Sequence, residues 1–395
     1  MQALVQRITD VPVLCCELFG DREAALRCPR GSIELVRGAR TGLVSNRRFD
    51  PQTQQFSANY EETQSFSDHF NAYARAIAEQ MAERHHLQGK TVVEIGCGKG
   101  AFLIGLCAIA GARGIGIDPA FVAGRHAVPH GTDLRFLAET LSTDHAGLNP
   151  DLVLCRHTLE HIGDLPKFLR LVRMVMTDRP GVVLSIDVPD STRIFREGAF
   201  WDVYYEHCHY FTPGSLAGTL RDAGFELTRL YREYDNQFLC AEARIETNGG
   251  DRREEPGEVF EIEETLSEAS DDIARFAENC TRQIAGWEQW FADHHGERIV
   301  LWGAGSKAVG FLTALSNADV VCAVDVNPHK AGKFLPGSGT PVIGPGDLKA
   351  FDPDHVIIMN PVYVDEISAE ARRNGISPTL WTLGPLPIKP LTPSA

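Results

Sequence analysis

The sequence predicts an α/β protein with two doubly wound, Rossmann-like units, and three observations lead to that prediction. A glycine-rich turn separates an apolar run from a helix-like run at residues 96–100 and again at 303–305. Each turn precedes a second apolar run that ends in an acid, since Gly98 and Asp118 are 20 residues apart, as are Gly305 and Asp325. After each turn, predicted strands alternate with predicted helices, which is typical of parallel sheets covered by helices on both faces.

The first turn reads Glu94-Ile95-Gly96-Cys97-Gly98-Lys99-Gly100 and follows a short apolar run. Its glycines permit positive φ and let a ligand press against the main chain. The next strand is predicted at 114–118, and its terminal Asp118 carboxylate can accept hydrogen bonds from both ribose hydroxyls of an adenosine-type ligand.

Later segments continue the alternation and suggest how the chain is divided. A helix is predicted at 70–84, where apolar residues recur at four-residue spacing. Further strands are predicted at 151–155, 182–189 and 238–243. The turn Asn248-Gly249-Gly250-Asp251 opens the best linker candidate, which extends to about Glu258. The predicted division is a small N-terminal region at 1–55, a ligand-binding domain at 56–250, a linker and long helix at 251–296, and a second Rossmann-like domain at 297–395.

Composition limits the class of protein. A chain of 395 residues with 43% hydrophobic and 23% charged residues is ordinary for a globular protein of two or three domains. A net charge of −15 argues against a general nucleic-acid binder and favours a small-molecule substrate. No apolar run is long enough to span a bilayer, and no signal-peptide pattern opens the chain. The ten scattered cysteines favour reduced thiols, so we expect a cytoplasmic protein with no membrane partner. The oligomeric state is not predicted.

The densest group of reactive side chains lies at residues 201–211, which contain two histidines, a glutamate, three tyrosines and a cysteine. Because this segment follows the strand at 182–189, we expect it above the carboxyl edge of the sheet. A histidine there can remove a proton near neutral pH, and a tyrosine can hold a developing oxyanion. Glu206, His207 and His209 could alternatively ligate a metal, and packing of the aromatic rings is the third reading.

Several motifs together resemble class I S-adenosylmethionine (SAM) methyltransferases. They are the E-x-G-x-G-x-G turn, the acid of Asp118-Pro119, and the segment Arg156-His157-Thr158-Leu159-Glu160-His161 after the strand at 151–155. The resemblance implies that SAM lies along the glycine turn with its ribose on Asp118. The cofactor-binding residues it implies are Tyr60, Ser65, Glu94, Gly96, Gly98, Gly100, Asp118, Pro119, Arg156 and His157. His161, the last residue of that segment, is expected to close a helix turn rather than to contact the ligand.

The order of parts further resembles the sugar C-methyltransferase family, through Tyr60…Ser65…Ser67, Val188-Pro189, Tyr204-Tyr205-Glu206-His207 and Gly303-Ala304-Gly305. That resemblance implies His207 as the base, with Tyr204 and Glu206 as further catalytic residues contacting the substrate. The substrate-binding residues expected with them are Tyr205, His209, Gln237, Gly303 and Gly305.

The sequence departs from that family at three places. Gly38-Ala39-Arg40-Thr41-Gly42 stands where zinc-binding C-x-x-C-G is usual, so no metal is expected, and Cys15, Cys16 and Cys28 are interpreted as structural. Tyr205 replaces a histidine, and Asn236-Gln237-Phe238 replaces Gly-Gly-Ser.

The function expected from the sequence is C-methylation next to a carbonyl, on a nucleotide-linked keto-sugar or a natural-product intermediate. The alternatives are an O- or N-methyltransferase acting on another metabolite, and an NAD-dependent oxidoreductase using the second glycine turn. That turn could also bind substrate or serve only to pack a helix on its sheet.

Overall fold

The computed structural model describes residues 3–54, 59–176, 181–246 and 259–391, in which three sheets are formed. The N-terminal region contributes β1 (Ala3–Pro12), α1 (Arg22–Leu26), β2 (Arg30–Arg37) and β3 (Val44–Asn46). Its strands form an antiparallel sheet that a short strand from the central region completes. The predicted linker from Asn248 to about Glu258 lies outside the described residues.

The central region is built on a seven-stranded sheet. Its elements are α2 (Asp68–Arg84), β4 (Thr91–Ile95), α3 (Ala101–Ala110), β5 (Arg113–Ile117), β6 (Asp133–Leu137), β7 (Leu152–Arg156), α4 (Leu165–Met176), β8 (Val183–Pro189), α5 (Ser191–Glu197), β9 (His209–Tyr210), α6 (Pro213–Asp222), β10 (Phe225–Glu233) and β11 (Phe238–Ile245). The strand order is β10-β11-β8-β7-β4-β5-β6, while β9 joins the N-terminal sheet instead.

The position of β4 explains where a ligand can bind. Strands β5 and β7 both pair in parallel with β4, on opposite sides of it. The chain therefore adds β5 and β6 on one side of β4 and then crosses to add β7 and β8 on the other side. A doubly wound sheet opens a crevice at the carboxyl ends of its strands at such a switch point. The glycine turn follows β4 directly and therefore lies in that crevice.

The C-terminal region starts with the long helix α7 (Leu266–Asp293), which Thr265 caps through a reciprocal hydrogen-bond pair with Glu268. A second parallel sheet follows, in the order β14-β13-β12-β15-β16. Its elements are β12 (Ile299–Trp302), α8 (Ser306–Ala314), β13 (Cys322–Val324), β14 (Val342–Ile343), β15 (His355–Ile358), α9 (Val364–Arg373) and β16 (Thr379–Thr382).

One apolar cluster joins the N-terminal sheet, the 194–210 segment, α7 and the C-terminal sheet. Trp201, which is 1% exposed, and Phe200 lie at its centre. The ring of Phe200 stacks on Phe311 of α8 at a centroid distance of 5.9 Å. Burying an aromatic side chain of this size contributes several kcal/mol, so the segment that carries the reactive residues is held from both sides.

The predicted fold class is confirmed, with two differences in detail. The strands predicted at 114–118, 151–155, 182–189 and 238–243 and the helix predicted at 70–84 are present with ends shifted by one or two residues. The central sheet is not wholly parallel, because β11 pairs antiparallel with both β8 and β10. His207 precedes β9 rather than lying in it. No helix within the described ranges is long and apolar enough to cross a membrane.

Candidate active site

A cavity of about 1090 Å³ lies where the carboxyl edges of the central and C-terminal sheets face each other. Its wall includes the glycine turn after β4, the loop after β7, His207, and the turns after β12 and β15. A site for one drug-sized ligand occupies about 300–1,000 Å³. The cavity is therefore large enough for a cofactor and part of a substrate side by side.

The glycine turn forms a cradle that tolerates no side chain. Gly96, Gly98 and Gly100 all have positive φ, at 74°, 53° and 87°. A Cβ on Gly96 would lie 2.0 Å from Thr158 Oγ1, and one on Gly98 would lie 2.8 Å from Glu62 Oε1. Gly96 and Gly98 line the cavity. Gly100 is not among its lining residues, and its place next to the Phe136 ring explains the glycine by packing.

Two carboxylates flank this cradle. The backbone N–H of Gly98 donates to Asp118 Oδ2 at 2.9 Å, and that of Ala120 donates to Oδ1 at 2.7 Å. Asp118 is thereby fixed at the cavity wall with one further lone pair on each oxygen. Glu94 is 3% exposed and its Oε2 has no hydrogen-bond partner in the described part of the chain. Burial raises the pKa of Glu94 to about 7, although the Arg156 guanidinium acts to lower it.

These features fit the cofactor that the sequence implies. A cradle without side chains accepts a ligand pressed against the main chain, and Asp118 offers acceptors for ribose hydroxyls. Glu94, whose Oε2 has no hydrogen-bond partner among the described residues, lines the cavity, and a cationic ligand bound there would supply a positive charge to pair with its carboxylate. Pro119 and Ser65 also line this end of the cavity.

The loop after β7 carries a strained residue. His157 has φ 45°, a left-handed conformation that costs a non-glycine residue about 1–3 kcal/mol. Its backbone N–H donates to Asp187 O at 2.8 Å, and its ring meets the edge of Phe238 at 4.4 Å between centroids. Arg156, next to it, binds Asp187 through Nε at 3.1 and 3.2 Å. Both residues line the cavity.

His207 lines the cavity with Tyr204 and Asp202. Its ring packs against Tyr204 and His161, at centroid distances of 4.8 and 4.7 Å, and no hydrogen bond to it occurs among the described residues. Burial lowers the pKa of His207 well below its usual value, and His161 adds to that effect. The imidazole is therefore neutral at pH 7 and keeps a lone pair.

Asp202 lies behind this pair and carries a fixed negative charge. Tyr204 Oη donates to Asp202 Oδ1 at 3.0 Å, and Arg193 and Lys307 both form ion pairs with the carboxylate. Burial alone would raise the pKa of Asp202, but these two cations hold it below its usual range. Because the Tyr204 hydroxyl hydrogen is committed to Asp202, Tyr204 is not placed to donate to an oxyanion.

Glu206 faces away from the cavity, toward the N-terminal region. It is 1% exposed and accepts hydrogen bonds from Tyr60 Oη at 2.7 Å and from Cys15 N at 2.9 Å. Tyr60, which was expected to cover the cofactor, lines the cavity while its hydroxyl is directed to Glu206. The structure thus joins Tyr60 and Glu206 in one buried pair, and Glu206, unlike His207, does not line the cavity.

Two residues predicted to bind substrate lie outside the cavity wall. Tyr205 Oη accepts a hydrogen bond from Asp50 N at 3.0 Å, and its ring packs on Gly31 of β2. His209 Nδ1 is 2.8 Å from Ser45 Oγ, in the pairing of β9 with β3. The alternative metal site at Glu206, His207 and His209 is therefore not assembled, because these three side chains point in different directions.

The second glycine turn completes the far wall of the cavity, where Gly303 and Gly305 lie next to Gln237. Gln237 and Asn360 exchange amide hydrogen bonds of 2.9 and 3.1 Å across the two sheets. Asp325, the acid expected to bind a dinucleotide ribose, accepts instead from Ala304 N and from Lys330 Nζ at 2.9 and 3.0 Å. Its Oδ1 also accepts from Asn327 N at 2.9 Å, so its two backbone bonds match those of Asp118, and it is the ion pair with the Lys330 ammonium that argues against an NAD ribose here.

Sequence reasoning missed several residues in this wall, among them Glu160, Lys307, Asn360 and Tyr363. The last three come from the C-terminal region, where only the glycine turn was considered. The rule that ligands bind at the carboxyl ends of parallel strands could have indicated Asn360, which follows β15.

Comparison with known proteins agrees with this geometry. Residues 66–230 match a family model described as a methyltransferase domain, and residues 259–377 match a C-methyltransferase C-terminal domain. The C-methyltransferase NovU of Streptomyces niveus is 26% identical over 310 residues, which cover 75% of this chain and 72% of the relative. A ubiquinone biosynthesis O-methyltransferase of Methylobacterium sp. (strain 4-46) is 35% identical over 126 residues, which cover 28% of this chain and 49% of the relative.

Among solved structures, the chain is similar to the 1,6-didemethyltoxoflavin-N1-methyltransferase of Burkholderia thailandensis, with 20% identity and a TM-score of 0.34 over 45% of this chain and 81% of the other. That partial superposition adds no argument to the family matches. Both family models lie in regions whose glycine turns border the cavity. The chain is therefore a SAM-dependent methyltransferase in which a methyltransferase domain at residues 66–230 is combined with a C-methyltransferase C-terminal domain at residues 259–377.

Proposed function

We propose that the enzyme methylates a carbon atom next to a carbonyl group of a small molecule, with His207 as the base. The observation that carries the proposal is the neutral His207 imidazole, which lines the cavity and has no hydrogen bond to any described residue. SAM, when bound, supplies an electrophilic methyl group. A carbon acceptor of this kind must lose a proton before it can attack, so a base in the cavity is the first requirement.

The wall around His207 supports proton removal. Asp202 is close enough for its negative charge to favour the imidazolium, which opposes the effect of burial. Tyr204 packs on the imidazole ring and is itself fixed by Asp202, so it limits the directions in which the ring can turn. Positioning of this kind supplies much of the rate gain in a two-reactant transfer.

Lys307 is the donor we assign to the developing enolate oxygen. It lines the cavity, forms an ion pair with Asp202, and its charge acts on His207. Tyr204, the donor expected from the sequence, already donates to Asp202. Removal of one oxyanion donor costs about 10²–10³ in kcat, so Lys307→Met is expected to lower turnover by that factor.

The remote part of the acceptor would lie toward the C-terminal glycine turn. The cavity continues from His207 to Gly303, Gly305 and the Gln237–Asn360 pair, which offers both amide donors and acceptors. An acceptor with a long polar body, such as a nucleotide-linked keto-sugar, fits that shape better than a compact metabolite.

The proposal is tested with acceptors that carry an exchangeable α-hydrogen. Wild-type enzyme is expected to exchange that hydrogen with deuterium from the solvent and, with SAM, to form a product whose NMR spectrum shows a new methyl group on carbon. His207→Gln is expected to lose about 10²–10⁴ of both rates, which is the range for a general base, while binding of S-adenosylhomocysteine (SAH) is unchanged. His209→Gln is the matched control, because its ring bonds Ser45 outside the cavity. A methyl group found on oxygen or nitrogen, or undiminished exchange in His207→Gln, would refute the proposal.

A further inference from the structure

Glu160 and His161 are two residues of the cavity wall that the proposed methyl transfer does not use, and they form a group with the proposed base His207. Glu160 and His161 lie in the loop after β7, and His207 lies between α5 and β9. Each offers one ligand atom, and these atoms lie within 4.8 Å of one another. The group contains two imidazoles and one carboxylate at the border of a large cavity.

Glu160 has lost its hydration without gaining a counter-charge. It is 1% exposed, and its Oε2 accepts no hydrogen bond from the described residues. A buried carboxyl group in this state gains free energy from any cation that reaches it.

The histidines are oriented for ligation. His161 Nδ1 lies 3.0 Å from the Glu206 carbonyl oxygen and 3.5 Å from Gln54 Nε2, and because the shorter contact is to an atom that can only accept, the hydrogen is assigned to Nδ1. A hydrogen bond from one ring nitrogen to a carbonyl is the usual way in which a metal-binding imidazole is held. His207 faces this ring edge-to-face at a centroid distance of 4.7 Å.

We propose that Glu160, His161 and His207 bind a divalent transition metal of the zinc class, and that the bound metal blocks methyl transfer by occupying the His207 lone pair. Two imidazoles and a carboxylate are a ligand set that zinc and its neighbours favour, whereas Mg²⁺ and Ca²⁺ require oxygen ligands. Metal–ligand distances of about 2.1 Å in a tetrahedron bring ligand atoms about 3.4 Å apart, so the side chains close by roughly 1 Å. The blocking effect rests on the proposed function, while metal binding itself does not.

A second group of possible ligands serves as the control. His294, Glu297 and His355 also bring their ligand atoms within 4.8 Å. Trp381 Nε1, however, donates to His355 Nδ1 at 3.1 Å, so His355 Nε2 carries the hydrogen and donates to Glu297. Without a lone pair on that nitrogen, this group is expected not to bind metal.

Metal binding is tested on chelator-treated full-length protein, with Co²⁺ followed by visible absorption and Zn²⁺ by calorimetry. Wild type is expected to bind one equivalent, with the spectrum of nitrogen and oxygen ligation, and Mg²⁺ is expected not to bind. Glu160→Gln and His161→Gln should each weaken Co²⁺ binding by at least about 100-fold, whereas Glu297→Gln should leave it unchanged. SAH binding reports that each variant is folded. Equal affinity in Glu160→Gln, or the intense near-ultraviolet band of thiolate ligation, would overturn the site.

Inhibition is tested with the acceptor identified above. Zn²⁺ should inhibit wild type at the concentration at which it binds, and the half-inhibitory concentration should rise about 100-fold in Glu160→Gln, whatever the metal-free rate of that variant. Turnover that is unaffected by saturating Zn²⁺ would overturn the blocking effect. If no carbon acceptor reacts, the proposed function fails, but the Co²⁺ titration still decides the metal site.

Discussion

Replacing Glu94 by glutamine is expected to stabilise the ligand-free protein above pH 7. Burial raises the pKa of Glu94 from an ordinary 4.5 to about 7, so between these values the unfolded chain releases a proton that the folded chain retains. The folded state binds more protons in this interval, and its stability falls as the pH rises from 4.5 to 7. A shift of roughly 2.5 units corresponds to a cost of about 3 kcal/mol, which is complete above pH 7.

Glutamine has the size of glutamate but does not ionise. Urea unfolding of wild type and Glu94→Gln, followed at pH 5 and pH 8, should therefore show a gain of about 1 kcal/mol or less at pH 5 and of up to about 3 kcal/mol at pH 8. Glu83→Gln, on the exposed face of α2, is the control and should show no such difference. The same Glu94 variant is expected to bind the cationic cofactor less well, because glutamine carries no negative charge to pair with the ligand. A gain that is equal at both pH values, or none at pH 8, would refute the assignment of a buried, protonated Glu94.

Three further predictions concern the cavity wall. Asp118→Ala should lower SAH affinity about 10- to 100-fold in calorimetry, because a hydrogen bond to a charged group contributes about 1.5–3 kcal/mol, and unchanged affinity would exclude the ribose contact. Gly98→Ala places a Cβ 2.8 Å from Glu62 Oε1 at a φ of 53°, so the unfolding free energy should fall by at least about 1–2 kcal/mol and SAH binding should weaken. Gln237→Ala leaves the Asn360 amide without its reciprocal partner, and thermal unfolding should show a loss of about 1–3 kcal/mol.

Much of the fold follows from local sequence pattern. The apolar runs at β4, β7 and β8 are buried on both faces, so they predict parallel strands without reference to the rest of the chain. The antiparallel place of β11 is not a local property. It depends on which edge is open once the other strands have paired, and no run of residues in β11 encodes that.

The cofactor end of the site was easier to predict than the substrate end. Gly96, Gly98 and Asp118 are fixed by backbone geometry and lie where the motif indicates. In the 201–211 segment, two-residue spacing suggested that His207 and His209 share one face. That reasoning requires a strand, and only His209 lies in one, so their rings diverge.

Hydrogen bonds between residues far apart in the chain explain why Glu206 could not be placed from sequence. Its partners are Tyr60 and the backbone of Cys15, which lie 146 and 191 residues earlier in the chain. Because Glu206 lies in the sequence next to tyrosines and histidines, the local sequence suggests that its carboxylate takes part in catalysis. Only the folded position of Cys15 and Tyr60 shows that the Glu206 carboxylate binds both of them and so connects them to the 201–211 segment.

The C-terminal region contributes residues to the cavity wall and contacts the segment that carries His207. Lys307 at the start of α8 forms an ion pair with Asp202, Asp202 fixes the Tyr204 hydroxyl, and Tyr204 packs on the His207 ring. Without Lys307, Asp202 would retain only Arg193 in a buried setting, where an uncompensated charge costs several kcal/mol. The same helix covers the aromatic rings at 200–201, whose exposure would remove a large apolar contribution. His207, the proposed base, is thus held by a chain of contacts that starts at the first helix after β12 in the C-terminal region.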